Sequence, residues 1–259
     1  MTTTFRQDVF HLDADETGFL YEITVETPNR YPSTDDPFPL VVCLDGLWTY
    51  GTVRDSFRIL SLGKRLPEAV VVGVAHAHPE LREVMQQRAV DFTPTEFEAP
   101  AETGVRLPAD EVGRAHRFRR FLVDTLVPQL CEDYRVSDDR TLVGHSFSAL
   151  FGLDTLLCEP AAFGRWVLAS PSIWWDDRVM FAREAAHAAA TPDVAARLFL
   201  SAGGDEISGS FGGHDVFHRQ LAARHHPGLR LDWALIDGED HRSVIPTALS
   251  RGLRAVFAL

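Results

Sequence analysis

With 259 residues, 25 Lys and Arg against 37 Asp and Glu, a net charge of −12 and 45% hydrophobic content, the chain has the profile of an ordinary soluble protein built around one core. An acidic balance without basic runs argues against nucleic acid and anionic membrane surfaces, both of which call for a positive protein face. The opening MTTTFRQDVFHLDADETG lacks the order of a secretory leader, and no stretch approaches the roughly 20 apolar residues of a membrane span, so the expected location is cytoplasmic.

Residues 18–26 alternate apolar and polar and predict a half-exposed edge strand, whereas residues 39–44 and 69–74 are nearly continuous apolar runs that predict strands buried on both faces. Residues 76–112 follow the second run and are rich in Pro and acidic side chains. They predict a long loop, either a lid over a site or a plain surface insertion. Phe118, Phe121, Leu122, Thr125, Leu126 and Leu130 keep helical spacing, with a kink expected at Pro128. Short apolar runs at 141–143, 166–169, 198–201 and 231–236 predict further strands. Residues 149–157 predict an apolar helix, and Ile245, Leu249, Leu253 and Val256 mark a last amphipathic one. Such alternation implies an α/β fold, a mostly parallel central sheet with helices on both faces, in one domain spanning 1–259 with the insertion at 76–112. Cys43, Cys131 and Cys158 are odd in number and widely spaced, and read as buried free thiols.

Sites on such sheets lie at the C-terminal ends of the strands. At one of them, Gly144-His145-Ser146-Phe147-Ser148 sets a serine between a buried strand and an apolar helix, the layout of a nucleophile elbow. The string alone is weak, because Gly-x-Ser-x-small recurs by chance; its place at a strand-to-helix junction gives it weight. Serine stands at 148 where glycine is usual. A serine nucleophile requires a histidine base and an acid that fixes the histidine tautomer, in the chain order serine, acid, histidine. Asp205 and Glu206 follow the strand at 198–201 and are not separable by spacing. His241 follows the strand at 231–236; its alternative is a helix cap. The oxyanion donors expected are the Phe147 N–H and the Leu47 N–H, with Gly46 allowing close backbone approach, unless Asp45-Gly46 is an ordinary turn.

Gly46, Trp48, Arg88, His145, Trp174 and Trp175 are the residues expected beside the substrate. The tryptophans would wall an aromatic or acyl pocket, or belong to the core. Arg88 would meet a substrate anion or pair structurally with Asp91. His214 and His218, one helical turn apart, and His76 with His78 each lack a third partner, so solvated or structural histidines are expected rather than metal ligands.

Several segments resemble the esterase family of α/β-hydrolases that includes esterase D, ferric-enterobactin-type siderophore esterases, feruloyl esterases and the antigen 85 mycolyltransferases. They are Val41-Val42-Cys43-Leu44-Asp45-Gly46, the stretch 88–94, the stretch 121–128, the elbow, Ser170-Pro171-Ser172-Ile173-Trp174-Trp175, and Gly238-Glu239-Asp240-His241. The resemblance implies a Ser–His–acid hydrolase of carboxylic esters without metal or organic cofactor, with Ser146, Glu206 and His241 as the triad and Leu47 and Phe147 as oxyanion donors. It favours Glu206 over Asp205 and leaves the ester open among siderophore lactone, aryl and alkyl types. The partner implied is a small-molecule ester, and a homodimer is compatible with the chain. An acyltransferase using the same acyl-enzyme, or a non-catalytic binding homologue, is the alternative.

Overall fold

The computed structural model describes residues 5–190, 194–208 and 211–258. Its strands form one sheet in the order β1-β2-β4-β3-β5-β6-β7-β8. β1 (Arg6–Ala14) and β2 (Phe19–Thr27) pair antiparallel, and β2 lies antiparallel to β4 (Val70–His76). From β4 onward every pairing is parallel, through β3 (Phe38–Leu44), β5 (Val136–His145), β6 (Arg165–Ala169), β7 (Ala196–Gly203) and β8 (Leu229–Ile236). This is the mostly parallel sheet that the apolar runs predict.

Parallel strands are joined by crossover helices, so both sheet faces are covered and alternate side chains feed two cores. Val41 and Cys43 point to the layer where Tyr50, Val53 and Phe57 of α1 (Gly46–Leu62) meet Leu249 and Leu253 of α8 (Ile245–Val256). Leu40, Val42 and Leu44 point the other way, to Phe92 of α2 (Leu81–Phe92) and to Leu150 and Phe151 of α5 (Phe147–Cys158). Burial of a large apolar side chain contributes about 1.5–3 kcal/mol, so these two layers fix the register of the central strands. α6 (Trp175–Ala190) and α7 (His214–Arg224) complete the second face.

The helix expected around Phe118–Leu130 is built in three pieces: α3 (Ala115–Arg120), a π-helical turn (Phe121–Leu126) and α4 (Val127–Asp133). Pro128 has no N–H and its ring crowds the preceding turn. The ladder answers by widening, with the Val127 N–H reaching back five residues to the Leu122 carbonyl. The predicted apolar stripe nevertheless stays inside, Phe118, Phe121, Leu122, Leu126 and Leu130 all being fully buried.

Three expectations are corrected. Residues 19–27 are not the edge, because β1 lies outside them; β1 alternates exposed with half-buried side chains, and Phe10 and Leu12 pack on the core. Residues 76–112 are not one long loop: α2 fills 81–92 and packs Val84, Ala89 and Phe92 inward. Only Cys43 is a buried thiol, since Cys131 and Cys158 lie on the outer faces of α4 and α5. No helix among the described residues is long and apolar enough to cross a membrane.

Candidate active site

Ser146 is the single residue between β5 and α5, and its backbone takes φ 61°, ψ −119°. A non-glycine residue held there costs about 1–3 kcal/mol and persists only where the surroundings enforce it. The enforcing geometry is the close approach of helix and strand: a Cβ on Gly144 would sit 2.6 Å from the Ser148 carbonyl oxygen. The turn lifts the Ser146 hydroxyl off the C-terminal edge of the sheet.

Two further strand ends bring partners to it. Beyond β8, Asp240 accepts bonds at Oδ1 from the Arg242 and Ser243 N–H groups (2.7 and 2.9 Å), shaping the turn that presents His241. The imidazole places Nε2 at 2.9 Å from Ser146 Oγ and Nδ1 at 2.5 Å from Glu206 Oε2. Beyond β7, Glu206 sits in a 3-10 turn (Gly204–Glu206), where its Oε1 accepts from the Ser170 hydroxyl (2.7 Å) and the Gly203 N–H (2.6 Å). Burial alone would raise the Glu206 carboxyl, but the bonds from His241 and Ser170, the imidazole charge and the Gly203 N–H together pull it down to about 2. An ionised carboxylate only accepts, so Nδ1 carries the imidazole proton and Nε2 offers its lone pair to the Ser146 hydroxyl. Asp205, the other carboxylate, is exposed and its side chain makes no bond among the described residues.

Leu47 is the second residue of α1 and Phe147 the first of α5, and neither backbone N–H has an acceptor among the described residues. Both helix N-termini therefore present free donors and partial positive charge beside the serine. A Cβ on Gly46 would meet the Val74 backbone at 3.1–3.2 Å, so glycine lets α1 begin tight against β4. The outer surface here is apolar. Leu47, Trp48, Ile207 and Phe211 are exposed, and half-buried Trp174 packs edge-on to Phe211 at 4.9 Å between ring centroids.

Several residues expected beside the substrate are placed otherwise. Arg88 is buried and pairs with Asp45, not Asp91: its Nη2 lies 2.8 Å from Asp45 Oδ2 and its Nε reaches Oδ1 at 2.5 Å. Asp91 is taken by His76 (2.7 Å) and the Tyr21 hydroxyl (2.5 Å) in a fully buried cluster. Trp175 is fully buried, donating from Nε1 to Thr95 Oγ1 (3.2 Å) and packing edge-on to Phe147, so it backs the site from within the core. His145 is buried too, its ring centroid 4.6 Å from that of His241; burial first, then the His241 charge, lowers it to about 3. It stays neutral and packs against the His241 ring. His214 is no solvated face: it is buried, and burial lowers it below the ordinary histidine value. Among the described residues no group of three or more His, Cys, Asp or Glu is arranged to hold a metal ion.

Sequence reasoning did not assign Ser170, Ser172 or Gly203. Ser172 Oγ lies 3.3 Å from Ser146 Oγ. The signal was available in Ser170-Pro171-Ser172 at the end of β6, which topology places next to β5.

Fold and site together define an α/β-hydrolase. The family model described as "Putative esterase" matches residues 15–225. Ferri-bacillibactin esterase of Bacillus subtilis (strain 168) is 32% identical over 244 residues, covering 88% of this chain and 82% of the relative. A solved structure of BES protein from Bacillus cereus superposes with a TM-score of 0.85 at 26% identity, covering 100% of this chain and 96% of that one. Siderophore hydrolase EstA from Aspergillus nidulans gives a TM-score of 0.76 at 25% identity, over 95% and 92% of the two chains. The chain belongs to this esterase family, whose chemistry is hydrolysis of carboxylic esters.

Proposed function

We propose that the protein is a serine esterase working through an acyl-enzyme, with Ser146 as nucleophile, His241 as base and then acid, and Glu206 as the group that fixes the imidazole. The observation that carries this reading is the continuous hydrogen-bonded chain from Ser146 Oγ through both ring nitrogens of His241 to Glu206. As the hydroxyl oxygen attacks the ester carbonyl, its proton passes to Nε2, and the imidazolium is stabilised by the ionised Glu206. The tetrahedral oxyanion is held by the Leu47 and Phe147 N–H groups, each worth on the order of 3 kcal/mol of barrier. Collapse expels the alcohol, which takes the proton from Nε2. Water, deprotonated by the same nitrogen, then releases the acid and regenerates the hydroxyl.

The substrate we propose is a siderophore-type ester or lactone. Two observations support it: relatives named ferri-bacillibactin esterase and siderophore hydrolase, and an exposed apolar and aromatic rim suited to an acyl or aryl group. The test is turnover of p-nitrophenyl butyrate and of a catecholate trilactone by wild type and Ser146→Ala. A loss of about 10³-fold or more in the variant is expected on both. Equal rates reject the mechanism, and turnover of the simple ester alone rejects the substrate class.

A further inference from the structure

Asp45, Arg88 and Ser148 form a buried cluster that the ester-cleaving chain does not use, although it touches both segments that supply the proposed oxyanion donors. Asp45 immediately precedes Gly46 and Leu47 and holds a left-handed backbone (φ 55°, ψ 46°) at the start of α1. This conformation directs the following amides, and for a non-glycine residue it needs outside support. The Arg88 guanidinium, on α2, reaches both Asp45 oxygens and lies over the Trp48 ring at 4.9 Å and the Phe147 ring at 5.9 Å. It therefore braces the residue after Leu47 on one side and Phe147 itself on the other. Ser148, where the usual elbow has glycine, sets its hydroxyl between two acceptors, Asp45 Oδ2 at 2.7 Å and the His145 carbonyl at 2.8 Å, and accepts the His145 N–H at 2.9 Å. All three side chains are buried, where a charged, bidentate bond is strong and geometrically restrictive.

We infer that Arg88, Asp45 and Ser148 are positioning residues that clamp the start of α1 to the start of α5 and so fix the spacing of the two oxyanion amides. The serine at 148 adds a direct bond across that gap that a glycine elbow lacks. This role rests on the proposed function, because it presupposes that the Leu47 and Phe147 amides meet a tetrahedral intermediate. The clamp contributes to the transition state and not to ground-state binding, so its loss falls on kcat while KM holds.

The experiment compares wild type, Ser148→Ala, Ser148→Thr, Arg88→Lys and Ser146→Ala on p-nitrophenyl butyrate, with the inhibition constant of a trifluoromethyl ketone analogue and the melting temperature of each. Ser148→Ala removes only a hydroxyl, and Arg88→Lys keeps the charge but not the two-pronged bond. Expected are a fall in kcat of about tenfold for Ser148→Ala and more for Arg88→Lys. KM should stay within twofold, the ketone should weaken in parallel with kcat/KM, and Ser148→Thr should recover most of the rate. Wild-type kcat in both Ser148→Ala and Arg88→Lys overturns the clamp, as does a fall in kcat without weaker ketone binding. Because Ser146→Ala is measured alongside, an active Ser146→Ala identifies failure of the parent mechanism, whereas an inactive one with unaffected clamp variants identifies failure of the clamp alone.

Discussion

Replacing Glu206 by Gln isolates what the carboxylate does. Oε1 already takes two donors, the Ser170 hydroxyl and the Gly203 N–H, so the amide oxygen of Gln occupies that position and the NH2 group falls where Oε2 lay, 2.5 Å from His241 Nδ1. A donor there makes Nδ1 the acceptor and moves the ring proton to Nε2, which then faces Ser146 with a hydrogen where a lone pair is needed. A wrong tautomer in otherwise intact geometry lowers kcat by about 10⁴, or about 5.5 kcal/mol. Glu206→Asp keeps the charge but withdraws it by one methylene, and a loss of only about 10- to 100-fold is expected. Since the carboxyl is held down at about 2, its charged form is lost only as pH falls towards that value. The kcat/KM profile between pH 5 and 9 therefore contains no step from Glu206, and the Gln defect is constant over that range. Kinetics on p-nitrophenyl butyrate, with circular dichroism to confirm folding, make the measurement. A Gln variant within tenfold of wild type refutes the reasoning.

Gly144→Ala drives a Cβ to 2.6 Å from the Ser148 carbonyl and is expected to destabilise by about 3 kcal/mol, read as a fall in melting temperature of about 6–12 °C. His145 is lowered by burial from its ordinary 6.5 to about 3, so the unfolded chain binds its proton first. The stability it contributes is complete above pH 6.5 and is lost by about 1.4 kcal/mol per unit as pH falls towards 3. His145→Gln should flatten the pH dependence of urea unfolding by that slope, and an unchanged slope contradicts the assignment. Trp174→Ala is expected to raise KM several-fold for aryl esters relative to methyl esters with little change in melting temperature. Trp175→Ala, which empties a fully buried site, should instead cost about 3–5 kcal/mol of stability.

The parallel strands were legible because each carries an apolar run, nearly continuous in β3 and β4 and confined to a few residues in β5 and β8. Ser146 and His241 were legible because strand ends converge on one sheet edge, which makes distant residues neighbours. Glu206 and Asp205 were not separable by spacing; the difference lies in three bonds, one from the residue after β6 and one from the last residue of β7, that only the folded turn assembles. α2 escaped the reading because half its buried face is polar. Gln86, Arg88 and Asp91 interrupt the helical apolar period, and they are tolerated inside because each has a partner on another segment. Arg88 was expected to find Asp91 at three residues' distance, yet it takes Asp45, 43 residues away, while His76 and Tyr21 claim Asp91. The departure at Ser148 looked like a weakness of the elbow motif. In three dimensions its hydroxyl reaches Asp45 Oδ2 as well as the local His145 carbonyl, and the first of these relations is invisible without the β3–α1 turn beside it.

The central claim is that one hydroxyl, of Ser146, is made reactive by His241. Labelling with a fluorophosphonate followed by peptide mass spectrometry tests it directly, because Ser172 Oγ lies only 3.3 Å away and serves as an internal competitor. The account predicts a single adduct on Ser146, abolished in Ser146→Ala and slowed at least a hundredfold in His241→Ala. An adduct on Ser172 with Ser146 unmodified, or labelling of Ser146 at an unchanged rate without the imidazole, would contradict it.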